Sequence, residues 1–365
     1  MKAISLFTGA GGLDVGFEKA GFEILWANDM NKNACATYSA NRSVNILNGR
    51  IEDIWADIRH LPPVDVVFGG PPCQGFSVAG KMNSNDERSR TVFLFLSAVE
   101  ELQPRAFLME NVSSLARLEK FSLIKKSLLK KAFDIGYDVE LLILNAADYG
   151  VPQNRNRMFL IGVRNKKVRG RIEALIRQFE AEPPNMRDLL LPLGKAGTDS
   201  NPETCRAKVT IATKPVLRRS PYAGMLFNGA GRPLNPDKPS CTLPASMGGN
   251  KTPIIDERHV YDREDSWVER YHRHLWGGGE PLGMYDAPPH LRRLTIEECS
   301  RIQTFPDGYT FKGSNSSIYE QIGNAVPCRL ATAVAKGMRK ILDCEDLSDP
   351  ASYMKEGRER QISLI

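Results

Sequence analysis

The sequence predicts an α/β fold: a doubly wound, mostly parallel sheet joined to a second, smaller and irregular domain. Three observations predict it. Short apolar runs alternate with amphipathic stretches through the first half of the 365-residue chain, the pattern of repeated β–α units with right-handed crossovers. One of those runs, over residues 64–68, reads as a buried parallel strand. After about Pro183 the pattern fades, and as far as about Pro289 the chain is rich in Gly, Pro, Asn and Asp with no clear helix periodicity.

Taken in order, residues 3–7 read as the first strand and 13–20 as a helix stopped by Gly21. Residues 22–27 form the next strand, followed by a helix over 32–40. Beyond the strand over 64–68 come a helix over 91–102 and a strand over 106–109. A helix over 121–135 ends at Gly136, and 138–144 and 158–163 read as two more strands. Helical pattern returns over 295–304, where Thr295 can cap the start, and over 327–342. From about Asp343 the chain is polar and expected to fray.

Composition narrows the function without naming it. No stretch approaches the ~20 apolar residues of a membrane span. The N-terminus turns polar too soon for a secretion signal, so a cytoplasmic location is expected. Seven cysteines stand at Cys35, Cys73, Cys205, Cys241, Cys299, Cys328 and Cys344. No pair has CxxC spacing and the count is odd, so neither a metal site nor a disulfide framework is expected. The net charge of +6 permits nucleic-acid binding without requiring it. Arg155, Arg157, Arg164, Lys166, Lys167, Arg169 and Arg171 follow one another with no acid between them. That run fits a solvated loop after a strand as well as a phosphate-binding surface.

The chemistry-bearing residues cluster at strand ends. Phe7-Thr8-Gly9-Ala10-Gly11-Gly12 follows the first strand and opens the first helix, where backbone amides can meet a ligand. Its glycines do not match the dinucleotide spacing GxGxxG, which disfavours a nicotinamide cofactor. The second strand ends in Asn28-Asp29, an acid suited to ribose hydroxyls, and the third unit supplies Asp53-Ile54, suited to an adenine amino group and ring face. The fourth strand ends in Gly69-Gly70-Pro71-Pro72-Cys73-Gln74-Gly75-Phe76-Ser77 and the fifth in Glu110-Asn111-Val112. A thiol and a carboxyl group in one crevice fit nucleophilic addition to a heteroaromatic ring with general-acid help.

These segments, with Gln153-Asn154-Arg155-Asn156-Arg157 and Gln321-Ile322-Gly323-Asn324-Ala325-Val326-Pro327, resemble the ordered motifs of the cytosine-C5 DNA methyltransferase family. The resemblance covers most of the chain and points to bacterial modification enzymes. It implies a Rossmann-like fold that binds S-adenosyl-L-methionine, with domains at 1–183 plus 318–345 (catalytic) and 184–290 (target recognition). Residues 291–317 connect them and 346–365 form a tail. It implies that Cys73 attacks C6 of a flipped-out cytosine, that Glu110 binds N3 and the exocyclic amine, and that Arg157 contacts the cytosine carbonyl. Met30, Pro72, Val92, Asn324 and Ala325 join Phe7, Gly9, Ala10, Gly11, Gly12, Asp29, Asp53 and Ile54 as cofactor contacts.

Candidate contacts to double-stranded DNA are Gln74, Ser77, Lys81, Arg88, Arg155, Arg232, Thr242, Gly248 and Gly249, with Lys251 and Arg258 as further phosphate contacts. Arg155 is assigned a structural or phosphate role, Arg232 a guanine contact, and Thr242 a backbone contact near the flipped base. The resemblance also implies a monomer, with a restriction endonuclease acting on the same site as a partner. Two departures stand out. Asp29 occupies a position where the family more often has Glu, and Gly69 one where a larger residue also occurs, a difference expected to matter little. The nearest alternative is a tRNA cytosine methyltransferase of the same fold, whose Cys-Phe-Thr tripeptide is not present here.

Overall fold

The computed structural model describes residues 1–72, 90–168 and 170–344. The first half runs β1 (Lys2–Leu6), α1 (Gly12–Lys19), β2 (Glu23–Asp29), α2 (Lys32–Asn41), β3 (Asn45–Asn48), α3 (Trp55–Arg59), β4 (Val66–Gly69), α4 (Arg90–Leu102), β5 (Ala106–Val112), α5 (Ser113–Arg117), α6 (Ser122–Asp134), β6 (Tyr137–Asn145), β7 (Asn156–Arg164) and α7 (Arg171–Arg177). These strands form one seven-stranded sheet in the order β3-β2-β1-β4-β5-β7-β6. β7 lies antiparallel to both β5 and β6, and the other neighbours pair in parallel. The expected doubly wound, mostly parallel sheet is therefore present. The order reverses beside β1 and β4, and ligands bind at the carboxyl ends of strands around such a switch point.

By its contacts the chain divides into two compact units. The first comprises Met1–Tyr149, Asn156–Ala181 and the chain from Cys328 on; the second comprises Gly150–Arg155 and Glu182–Pro327. The first unit is thus built from both ends of the sequence. Its returning helix α12 (Cys328–Asp343) packs on α1 and α7. A Cβ at Gly16 would lie 2.4 Å from the Ala331 carbonyl carbon, so no side chain fits there. Arg105 donates to the Leu342 carbonyl and Lys166 to those of Ile341 and Cys344, which satisfies the end of α12.

The second unit contains α8 (Met186–Leu190), β8 (Ile211–Val216), β9 (Met225–Phe227), β10 (Ile254–Asp256), α9 (Trp267–Trp276), β11 (Leu291–Arg293), α10 (Ile296–Ile302) and α11 (Asn315–Asn324). Two apolar clusters form its interior. One gathers Met186, Leu243, Leu294, Ile302, Tyr319 and Ile322, the other Ile211, Phe227, Ile254, Val268, Tyr271 and Leu291. The segment after Pro183 is therefore less irregular than its composition suggested. In α9 the buried Val268, Tyr271, His272 and Leu275 follow helical spacing, and the Ser266 hydroxyl caps the start. Tyr and His on that face disguise the period. As expected, Thr295 caps α10, and with Glu298 it forms a capping box. No helix of the described residues is long and apolar enough to cross a membrane.

Candidate active site

The turn between β1 and α1 uses backbone that ordinary residues avoid. Phe7, Gly9 and Gly11 have φ of 53°, 57° and 82°, a region open to glycine at little cost. No heavy atom lies within 4 Å of where a Gly9 Cβ would stand, so the face above this residue is open. The Asp29 carboxylate, at the end of β2, accepts the amides of Gly9 and Asn31, each at 2.7 Å. Burial raises its pKa against the lowering effect of those bonds. A carboxylate has about four acceptor sites, so capacity remains for ribose hydroxyls. Met30 is 62% exposed beside it. Asn28 donates to the carbonyls of Leu47 and Gly49, which ties β3 to β2 and sets the path to the exposed Asp53 and the buried Ile54.

Beneath the turn lies a network that the sequence reading missed. Asp14, in α1, is fully buried and accepts the Thr8 hydroxyl at 2.6 Å and the Tyr38 hydroxyl at 3.0 Å. Arg42 donates to the Gly11 carbonyl, pairs with Glu18 at 2.7 Å and lies over the Tyr38 ring. Burial pushes the Asp14 carboxyl up. The network holds the turn from below through Thr8 and Gly11, two of its own residues.

The end of β4 passes close to β1 and β5. A Cβ at Gly69 would stand 2.1 Å from the Leu6 carbonyl oxygen, so Gly69 matters more than expected: any larger residue would part β4 from β1. A Cβ at Gly70 would stand 3.1 Å from Glu110 Oε2, so the chain runs directly against that carboxylate. Asn111 donates to the Pro71 carbonyl and Thr91 to that of Pro72. Val92, expected at the cofactor, lies in α4 with 0% exposure, packed in the apolar core of the first unit. Cys73, Gln74, Ser77, Lys81 and Arg88 lie outside the described residues, as do Arg169 and the tail.

Glu110 and Arg157 meet across β5 and β7. Arg157 Nε lies 2.8 Å from Glu110 Oε1, and their side chains are only 13% and 10% exposed. β5 pairs Val112 with Arg157 and Glu110 with Phe159, so the two charged residues are diagonal neighbours across the ladder. The pairing aims Glu110, at the cost of desolvating both groups.

The basic run divides in the structure. Arg155 is 1% exposed in the second unit, where it donates to the carbonyls of Leu243 and Gly323 at 2.9 and 2.6 Å. Of its two expected roles the structural one fits, because a guanidinium so enclosed has no face for a phosphate. Arg164 donates to Gln103 and Lys166 to the helix end already described. Beside Arg155, Gln153 accepts the Leu243 amide and donates to Gln303, which in turn donates to the carbonyls of Ile322 and Ala325. Residues 153–155 thereby connect the segment around Leu243 to the end of α11, where Asn324 is exposed and Ala325 buried.

Elsewhere in the second unit, Arg232 is exposed and donates to the Ala223 carbonyl at 2.7 Å. The Thr242 hydroxyl donates to the Asn154 carbonyl at 2.7 Å. The Gly248 amide donates to Thr252, while no atom crowds Gly249. Lys251 and Arg258 are exposed, the latter 3.8 Å from Glu264. Burial pushes the Cys35 thiol up to about 11 and the Cys328 thiol up to about 12, so both stay protonated at neutral pH. No group of three or more potential metal ligands occurs among the described residues.

The model of the C-5 cytosine-specific DNA methylase family matches residues 1–340. The chain is 32% identical to the Type II methyltransferase M.FnuDI of Fusobacterium nucleatum, with 99% of each chain covered. It is 33% identical to the Type II methyltransferase M.MthTI of Methanothermobacter thermautotrophicus, over 94% of this chain and 98% of that one. Among solved structures it is similar to the S. pombe Dnmt2 methyltransferase, with a TM-score of 0.66 and 18% identity over 94% of this chain and 100% of the other. At that identity the likeness speaks for the fold alone. Together with the strand-end turn and the Glu110–Arg157 pair, these matches show that the chain belongs to the C-5 cytosine-specific DNA methylase family and is a DNA (cytosine-5-)-methyltransferase that uses S-adenosylmethionine.

Proposed function

We propose that the chain methylates one cytosine within a specific duplex sequence, with Cys73 as nucleophile, as the modification half of a restriction-modification pair. The observation that carries the site assignment is the Glu110–Arg157 pair at the strand ends beside Gly70, three residues before Cys73. Cytosine C5 is a poor nucleophile. In this reading the Cys73 thiolate adds to C6 of the flipped base while Glu110 hydrogen-bonds N3 and the exocyclic amine, and C5 gains enamine character. Arg157 holds Glu110 and reaches the cytosine carbonyl. C5 then takes the methyl group, loses its proton, and expels Cys73 to restore the ring. S-adenosylmethionine supplies an electrophilic methyl on its sulfonium. Phe7–Gly12, Asp29, Met30, Asp53 and Ile54 would hold it, with Pro72, Asn324 and Ala325 completing the set.

Flipping the base costs a few kcal/mol, which contacts from Gln74, Ser77, Lys81 and Arg88 offset. Arg232, Thr242, Gly248 and Gly249 form the recognition surface. The relatives carry the name Type II methyltransferase, which supports a cognate endonuclease sharing the site; a monomer and action in the cytoplasm belong to the same proposal. Labelled methyl transfer to duplex DNA and to tRNA, run side by side, tests the reading. Transfer to the duplex, abolished in Cys73→Ala with DNA binding retained, is the expected result. Transfer to tRNA alone, or turnover by the variant, would overturn it.

A further inference from the structure

The charge of this chain is concentrated in one place. Between Glu203 and Asp237 the sequence holds Arg206, Lys208, Lys214, Arg218, Arg219 and Arg232 and no Asp or Glu. The whole net charge of +6 therefore resides in that stretch, and the rest of the chain is neutral. All six cations are exposed. None of them forms an ion pair with a described residue. The other basic run, around Arg155 to Arg171, has by contrast spent Arg155, Arg157, Arg164 and Lys166 on partners within the protein.

The stretch is also mounted on a fixed platform. It spans the β8–β9 hairpin, which pairs Ile211 with Phe227 and Val216 with Met225. Asn228 donates to the Ile211 carbonyl and the Thr210 hydroxyl. His272 Nε2 lies 2.8 Å from the Arg218 carbonyl oxygen, so α9 holds the chain where Arg218 and Arg219 leave the strand. The nearby Glu269 carboxylate is engaged by the Tyr222 hydroxyl. Arg232 joins the same surface through its bond to Ala223, in the hairpin turn.

We infer that the β8–β9 hairpin is a phosphate-binding ribbon: Arg206, Lys208, Lys214, Arg218 and Arg219 hold the duplex backbone flanking the target site, next to Arg232. The inference rests on the reading of the second unit as the recognition unit. Unpaired, exposed cations of one sign attract a polyanion and release its condensed counterions. Contacts to phosphate position the protein but carry no sequence information. The ribbon therefore sets affinity and register, while Arg232 and the 242–249 loop select the bases.

The test is a salt titration of duplex binding by the full chain, from roughly 50 to 300 mM KCl, with wild type and the variant Lys214→Gln/Arg218→Gln/Arg219→Gln. Each lost phosphate contact removes about 0.9 from the slope of log K against log salt, so the variant's slope should be shallower by about 2.7. Its affinity should fall equally for duplexes with and without the methylated sequence, and the mapped methylated cytosine should not change. Lys214→Arg should keep the wild-type slope. Shortening the duplex to the target site alone should bring wild type and variant together. An unchanged slope, or a loss confined to the duplex bearing the site, would overturn the ribbon. Slope loss seen on tRNA and not on duplex DNA would also overturn it. Failure of wild type to methylate duplex DNA would instead strike the functional reading, which the binding arms do not measure.

Discussion

At the scale of single residues, the legible part of the site is the part that topology fixes. Asp29 ends β2 and Glu110 lies two residues before the end of β5, at the carboxyl side of the sheet where folds of this kind bind ligands. Asp14 was not legible. In the sequence it is one acid in the first turn of a helix, where acids are common. Its burial depends on Tyr38, 24 positions away, and on Thr8 turning inward. Because Asp14 is buried beneath the Phe7–Gly12 turn, the proposed cofactor site, its titration should be visible in stability. Burial raises its pKa in the folded state above the ordinary 3.8. Such a group contributes stability that is fully present below that ordinary value and lost as pH rises through the folded one. Asp14→Asn cannot titrate, so its urea midpoint should vary less than wild type's between about pH 4 and pH 7. The variant should also bind S-adenosylhomocysteine more weakly, by about tenfold (about 1.4 kcal/mol), since Asn offers one acceptor oxygen to two hydroxyls. Parallel pH curves and unchanged binding in calorimetry would remove Asp14 from the cofactor site.

At the scale of elements, the central strands and the long helices of the first unit could be read from periodicity, and their bounds moved by one to three residues. The edge strand β3 could not, since Asn45–Asn48 has only two apolar residues and no alternation to follow. In the second unit α9 and α11 were missed for a chemical reason. Their buried faces use Tyr271, His272, Tyr319 and Gln321 beside aliphatic residues, and such residues score as polar until their partners are known. The return of the chain to the first unit depends on a contact between elements that no local pattern reveals. α12 crosses α1 at Gly16, where even a methyl group meets Ala331. Gly16→Ala should therefore cost about 1–3 kcal/mol through overpacking, despite the better helix propensity of Ala. A denaturant melt checks this. A gain in stability would mean that α12 does not hold the spacing seen here.

At the scale of the whole molecule, the sheet order and the ordered motifs told the same story, which is why family and fold were readable together. The charge distribution was harder to read. A dense run of Arg and Lys near β7 drew attention, yet folding consumes most of it. The sparser run around β8 and β9 stays exposed, because no acid accompanies it in the sequence and, among the described residues, none pairs with it. Charge count along the chain thus said little about charge available to a partner. In the proposed mechanism the substrate reacts with the thiol at position 73, and one measurement reaches it directly. A duplex carrying the target sequence with 5-fluorocytosine at the methylated position blocks the final proton loss. Incubated with S-adenosylmethionine and the full chain, it should give a complex that survives denaturation, with peptide mapping placing the nucleotide on Cys73 and no complex in Cys73→Ala. A covalent link at any other residue, or methyl transfer to unmodified duplex with no trapped complex on the fluorinated one, would contradict the covalent Cys73 mechanism.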